Sequence, residues 1–388
     1  MNCCPLCECA DLVAGPQLAI APKHHLIRSD VTLGPNYFGS VSLFQCPRCT
    51  HMFNIDSTDE VGHINGIHTN TPVSHDMHNR QIQLLRRLSA RPGMSVLEIG
   101  AGSGSLALKF VSAGHRVTVV EPLGHFSDEL VTSGSRLFQS EWPVPELLSE
   151  TFDLVLCVQV LEHTLNPTAV MHTISAVLGP SGYAYIEVPS ANWVLKHGSP
   201  LDIHIPHVQY FTEKSIKSLF ESVGVTVISK ISLLDGHDVG WIVKNSDSPT
   251  NCEISLNDRN SHAQSFHKFR VMRDKLVESV GKLPDDVALF GANAHSQALL
   301  GWVPTAGWKH VFDSTSSYWG HHCYSSSSRL EVLPPEKANL QSAGAIVIAS
   351  YLHDHHITET LRASGYSGKI FSVRPNCDDI PDGVLSLF

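Results

Sequence analysis

At 388 residues the chain is too long for one ordinary hydrophobic core, and its 42% hydrophobic and 16% charged residues exclude disorder as the global state. A formal net charge of -10 weighs against a general nucleic-acid binder, which gains affinity by neutralising phosphates, yet leaves room for a local pocket that holds a diphosphate. No run approaches the roughly 18 apolar residues of a membrane span, and the start is cysteine-rich where a secretory signal would be basic then apolar, so a cytoplasmic protein without a membrane partner is expected.

Residues 1–57 are rich in Cys, Pro and Gly and carry no long periodic segment, as expected of a small module held together by something other than a large core. Ten cysteines without a secretory signal favour metal ligation or buried thiols over a disulfide framework. Cys4-Pro5-Leu6-Cys7 and Cys46-Pro47-Arg48-Cys49 are two C-x-x-C knuckles. Each can give two thiolates to one tetrahedral zinc at about 2.3 Å, and a closed set of four makes the ion structural. Either Cys3 or Cys9 could replace a neighbour; the matched pair, Cys4, Cys7, Cys46 and Cys49, is preferred. The long separation of the knuckles predicts a hairpin or extended excursion between them.

A helix is predicted over 79–88, where Ile82, Leu84, Leu85 and Leu88 recur at helical spacing before Arg91-Pro92-Gly93. A strand over 95–99 leads into Gly100-Ala101-Gly102-Ser103-Gly104, followed by a helix over 105–113 and a strand over 116–120. Strands over 152–158 and 183–188 and helices over 171–178 and 213–223 continue an alternation that implies a parallel, doubly wound sheet. The polar stretch 246–251 reads as a linker, followed by a helix over 263–280, a strand over 287–290 and an apolar run over 345–349. Together these make a second, smaller α/β unit.

The glycine loop carries the chemistry. Its small residues permit a tight strand-to-helix turn and let a ligand lie against the backbone. Glu98 at the strand end can hold the loop or meet an ammonium group, and Glu121, ending the next strand, is placed to accept hydrogen bonds from ribose hydroxyls. The spacing E-x-G-x-G-x-G differs from the dinucleotide fingerprint G-x-G-x-x-G, and Phe152-Asp153-Leu154-Val155 precedes Val160-Leu161-Glu162-His163. Across roughly residues 78–243 the chain resembles class I S-adenosylmethionine-dependent methyltransferases. The resemblance implies that Gly100, Gly102 and Gly104 line the methionine part of the cofactor, that Glu121 binds ribose and that His163 borders the methyl-transfer site. The implied cofactor shell is Glu98, Gly100, Ala101, Gly102, Gly104, Glu121, Pro122 and Gln159.

The order of cysteine module, methyltransferase domain and second α/β unit resembles, over nearly the whole chain, the sugar C-methyltransferases that act on nucleotide-linked deoxy-keto-sugars. Thr71–His78 is similar to that family's lid region, and Gly291-Ala292-Asn293-Ala294 to the turn that opens its C-terminal domain. The resemblance implies a Rossmann-like α/β enzyme with a zinc-binding module over 1–57, a methyltransferase domain over 58–245 and a C-terminal α/β substrate-binding domain over 262–388. In His204-Ile205-Pro206-His207-Val208-Gln209-Tyr210-Phe211, His207 matches the family's catalytic histidine and Tyr210-Phe211 its aromatic pair. The chain departs from the family where His204, Ile205 and Pro206 replace Tyr, His and Glu. His207 is the first candidate for general base, His204 the reserve and His163 the third. The expected cofactors are S-adenosylmethionine and structural Zn2+, and the expected partner is a small molecule, nucleotide-linked in the leading reading. An O- or N-methyltransferase of a small metabolite is the alternative. An inactive zinc-containing scaffold and a nucleic-acid methyltransferase rank lower. The sequence leaves the oligomeric state open.

Overall fold

The computed structural model describes residues 3–22, 26–27, 38–56, 75–124, 126–246, 266–304, 306–375 and 380–388. The predicted linker over 247–251, the helix start over 263–265 and residues 71–74 of the lid-like segment lie outside the described residues.

The first sheet has four strands, β1 (Val13–Pro22), β2 (Phe38–Gln45), β3 (Met52–Asn54) and, from far along the chain, β9 (Gln209–Tyr210). All neighbours run antiparallel, so the excursion between the cysteine knuckles contains a hairpin that pairs Val13 with Gln45 and Pro22 with Phe38.

A helix α1 (His75–Leu88) leads into the central sheet. Its members are β4 (Ser95–Ile99), β5 (Arg116–Val120), β6 (Arg136–Phe138), β7 (Phe152–Val158), β8 (Leu178–Pro189), β10 (Val225–Leu233) and β11 (Asp238–Asn245). The spatial order is β10-β11-β8-β7-β4-β5-β6, and β11 alone runs against the others. The connecting helices are α2 (Ser105–Ser112), α3 (Asp128–Thr132), α4 (Pro167–Ala176), α5 (Ala191–His197) and α6 (Glu213–Ser222). Both faces are covered: Leu97, Val155 and Ile186 pack with Phe220 and Trp241, while Val96, Leu154 and Leu156 pack with Phe110. Burial on both sides explains why β4 and β7 are mostly apolar, with Ser95, Glu98 and Asp153 as their polar members.

The C-terminal unit begins with α7 (His267–Val280) and alternates β12 (Val287–Phe290), α8 (Ala294–Trp302), β13 (Trp308–Phe312), β14 (His322–Tyr324), β15 (Arg329–Leu333), α9 (Lys337–Leu340), β16 (Ala345–Ile348), α10 (Asp354–Ala363), β17 (Lys369–Ser372) and β18 (Leu385–Ser386). Its sheet has the order β14-β15-β13-β12-β16-β17-β18 and is parallel except where β14 meets β15.

Two boundaries differ from expectation for identifiable reasons. Asn166 caps α4 through its side chain, which accepts from the Ala169 N–H at 3.0 Å, and Pro167 takes the first helical position, so this helix starts and ends earlier than 171–178. Leu178 is thereby freed to pair with Phe152, and β8 starts there, not at 183.

A shared core joins the three units. Leu18, Val41 and Leu43 from the hairpin pack with Val194, Ile203, Ile205 and Tyr210 from the central unit and with Phe266 and Phe269 at the start of the C-terminal unit.

Candidate active site

The glycine-rich turn lies between β4 and α2. Gly100 and Gly104 both have positive φ, and a Cβ on them would stand 2.3 Å from Val160 Cγ2 and 2.2 Å from Leu130 Cδ2. Gly102, at φ 56°, faces open space instead. The loop is held from beneath by Glu121, whose Oε2 accepts the Gly102 N–H at 2.9 Å and whose Oε1 accepts the Leu123 N–H at 3.0 Å. Ala101 is half-buried and its carbonyl accepts the Gly104 N–H at 2.9 Å, while Pro122 is exposed.

Glu98 is buried at the end of β4, and its Oε2 has no hydrogen-bond partner. Burial raises its pKa to about 8, with the charge of Glu121 adding to the effect. A buried carboxyl with one oxygen unsatisfied, beside an open glycine turn, suits a cationic ligand group. Such a group binds the carboxylate form, so ligand binding below pH 8 releases a proton. The affinity for S-adenosylhomocysteine is therefore expected to rise with pH towards about 8 and then level off, by up to about tenfold per pH unit on the acid side. Calorimetric titration at three pH values checks this, and Glu98→Gln should give a weaker and flatter profile.

From β7 the chain passes through Gln159, which has φ 56°, and its side-chain amide donates to Glu187 Oε1 at 3.2 Å. Behind it lies a cavity of about 220 Å3 lined by Gln159, His204, His207 and Tyr210, together with Asp202, His237 and His295. His207 is half-buried at the centre of the histidine group, with ring centroids 3.9 Å from His204, 4.9 Å from His163 and 6.0 Å from Tyr210. Burial, reinforced by His204 and His163, holds His207 well below the usual histidine range, so the ring is neutral at physiological pH. His163 is oriented by a 2.8 Å contact from Nδ1 to the carbonyl of Pro206. The three histidines predicted from sequence thus meet at one place, and Gln159 lines the same cavity as His204 and His207.

Several residues around this cavity escaped the sequence reading. Glu162 is buried, neither carboxyl oxygen has a hydrogen-bond partner, and burial raises its pKa to about 8. Asp202 is buried, with Oδ1 2.9 Å from His237 Nε2 and 3.2 Å from His295 Nε2, and its Oδ2 accepts from the Tyr351 hydroxyl at 2.7 Å. Burial pushes the Asp202 carboxyl up, but the charge and hydrogen bonds of His237 and His295 outweigh it and leave the pKa well below the ordinary value. His237 also contacts Asp238 Oδ1 through Nδ1 at 2.8 Å; burial opposes its charge, yet the two carboxylates prevail and raise it to about 10. A tight turn delivers His237, with Leu234, Asp235 and Gly236 all at positive φ. Arg80 on α1 pairs with Glu187 and lies 3.6 Å from Asp238. The only sequence signal for this group was the adjacency of His237 and Asp238 at the head of the apolar stretch Val239–Val243.

At the N-terminus Cys4, Cys7, Cys46 and Cys49 converge, with all four Sγ atoms within 4.8 Å of one another and separations of 3.5–3.6 Å among three of the pairs. Cys3 is exposed, and Cys9 turns to the carbonyl of Asp11 at 3.7 Å. The module is tied to the histidine group: β3 pairs Met52 with Tyr210, and buried His51 contacts Gln209 Oε1 at 2.7 Å.

Comparison with known proteins places this geometry. A family model described as a methyltransferase domain matches residues 73–230. The chain carries a class I methyltransferase domain. Among curated relatives, the ubiquinone biosynthesis O-methyltransferase of Dechloromonas aromatica is 27% identical over 125 residues, 30% of this chain and 54% of that protein. The C-methyltransferase NovU of Streptomyces niveus is 26% identical over 278 residues, 66% of each protein. The chain therefore spans between about half and two thirds of the length of these methyltransferase relatives. A solved structure, Burkholderia thailandensis 1,6-didemethyltoxoflavin-N1-methyltransferase with 1,6-didemethyltoxoflavin and S-adenosylhomocysteine, aligns at 20% identity and a TM-score of 0.36 over 45% of this chain and 79% of that one. Among the described residues, no helix is long and apolar enough to cross a membrane.

Proposed function

We propose that the protein transfers the methyl group of S-adenosylmethionine to a small molecule, and in the leading reading to a carbon of a nucleotide-linked keto sugar. The observation that carries the reading is the open turn at Gly102 with the unsatisfied, buried Glu98 carboxyl at the end of the strand before it, in a chain where the neighbouring parallel strand, β7, leads through Gln159 into the histidine-lined cavity. Glu98, Gly100, Ala101, Gly102, Gly104, Glu121, Pro122 and Gln159 are assigned to the cofactor, with Glu98 meeting its ammonium group.

Neutral His207 removes a proton from the carbon next to the acceptor ketone. The enolate carbon attacks the sulfonium methyl, the carbon–methyl bond forms as the sulfur–methyl bond breaks, and S-adenosylhomocysteine leaves neutral at sulfur. His204 and His163 flank the base. Glu162, buried against them, supplies an acidic group in a region where Ile205 and Pro206 carry none. The units 1–57, 58–245 and 262–388 are assigned to zinc binding, methyl transfer and substrate holding, in a cytoplasmic enzyme.

The four N-terminal thiols suit a structural zinc. A tetrahedron with bonds of about 2.3 Å has edges of about 3.8 Å, close to the sulfur separations of 3.5–3.6 Å.

Methylation of oxygen or nitrogen is the second reading, favoured by the aliphatic Ile205 and Pro206 at the place of the family's polar pair. Incubation with dTDP-linked 4-keto-6-deoxysugars in heavy water separates the two. Carbon transfer is expected to give exchange of the abstracted proton and a C-methyl product by mass spectrometry and NMR. An O-methyl or N-methyl product without exchange establishes the second reading.

A further inference from the structure

Asp202, His237 and His295 come from three different places: the loop after α5, the turn before β11 and the first turn of α8. Their ligating atoms lie within 4.8 Å of one another, on the wall of the acceptor cavity. Asp202 Oδ1 stands 2.9 Å from His237 Nε2 and 3.2 Å from His295 Nε2. Ligand atoms at right angles on one ion with bonds of about 2.0–2.2 Å are separated by about 2.8–3.1 Å, and tetrahedral ones by about 3.3–3.6 Å, so these spacings fit adjacent positions of a common coordination sphere.

The surroundings add two observations beyond proximity. His237 Nδ1 is 2.8 Å from Asp238 Oδ1, and a proton held there leaves Nε2 with its lone pair aimed at the shared point. A carboxylate behind a histidine is the usual outer contact of a metal-bound imidazole. On the other ligand, the Tyr351 hydroxyl occupies Asp202 Oδ2 and so presents Oδ1. Charge points the same way: Asp202 and Asp238 both contact His237, and Arg80, which lies 3.6 Å from Asp238, is shared with Glu187, so carboxylates are in excess. A proton on His237 answers part of that excess, and a divalent ion answers it more fully.

We propose that Asp202, His237 and His295 bind a first-row divalent cation of the Zn2+ or Co2+ type in the acceptor cavity. Two imidazoles and one carboxylate leave coordination positions open, and these face the space where an acceptor oxygen would lie. The ion then holds that oxygen and fixes which acceptor atom faces the donor. The binding claim is independent of the methyl-transfer reading, because it is tested without turnover.

The test is a Co2+ titration of the full-length protein after metal removal, followed by absorption spectroscopy and by proton NMR of the paramagnetic species. The first equivalent is expected at the four cysteines, with intense thiolate-to-cobalt bands. A second equivalent should add weak visible bands without thiolate character, together with shifted ring resonances from two histidines. Asp202→Asn and His295→Gln should each lose the second equivalent and keep the first, which reports that the chain is folded, and Asp238→Asn should weaken it by about 10- to 100-fold. Saturation of the wild-type protein at the thiolate equivalent overturns the proposal without any variant. So does a second equivalent that persists unchanged in Asp202→Asn or His295→Gln, since the ion then binds elsewhere among the 24 histidines.

Discussion

His207→Asn is expected to lower kcat by about 10^3-fold while leaving the affinity for S-adenosylhomocysteine within a factor of two. The asparagine keeps a polar side chain of similar reach but cannot take the proton. The proposed cofactor residues are Glu98, the glycine turn and Glu121, and the turn is held by the Glu121 carboxylate and not by His207. The pH profile gives a second readout. Burial first, and the neighbouring His204, His163 and His237 next, keep the His207 ring neutral against the opposing pull of Asp202. A base works only unprotonated, so its rate falls as pH drops through its pKa, and here that fall lies below the ordinary histidine range near 6.5. A plateau should extend through pH 6 in the wild-type enzyme. Retention of turnover in His207→Asn, measured by stopped assays of S-adenosylhomocysteine formation, assigns the base elsewhere in the cluster.

Cys49→Ser is expected to release the thiolate-bound zinc and to unfold the N-terminal sheet, leaving the central sheet intact. Apart from a small buried cluster of Cys4, Cys46, Cys49 and Phe53, little apolar surface holds the knuckles together. Metal binding at such a site contributes on the order of 10 kcal/mol to its folding. The loss should propagate. β3 pairs with β9, and His51, which burial holds down to about pKa 4 and therefore neutral, is hydrogen-bonded to Gln209. Turnover should fall at least about a hundredfold, whereas cofactor affinity should change little. Zinc content by emission spectrometry, thermal unfolding and calorimetric titration of S-adenosylhomocysteine check the three parts. Full zinc content in Cys49→Ser removes this cysteine from the ligand set.

The donor half was legible in the sequence because it is local. The strands read at 95–99, 116–120 and 152–158 agree with β4, β5 and β7 to the residue, since parallel strands covered on both faces are dominated by apolar residues, here interrupted only by Ser95, Glu98, Arg116, Thr118 and Asp153. The glycine turn follows one of them directly. The outer strands were less visible: β10 alternates buried Val225 with exposed Thr226 and continues so along its length, and the hairpin of β1 and β2 has no helical or central-strand signature. His204 and His207 were found through a family pattern in one short segment. Asp202, His237, His295 and Tyr351 were not, because the contacts of Asp202 reach across 35, 93 and 149 residues and exist only once the central and C-terminal units have packed. Sequence periodicity reports the neighbourhood of each residue along the chain and carries no information on such meetings.

The placement of β9 in the sheet of the cysteine module, and not in the sheet that carries the glycine turn, ties the cavity to that module. Gln209 and Tyr210 of β9 line the cavity beside Asp202 and His237 from the central unit and Ala294 and His295 from the C-terminal helix α8. In the proposed reading, selectivity can consequently drift by changes around β9 and α8 without disturbing the glycine turn. Grafting the outer units onto a related core is the corresponding route to new acceptors.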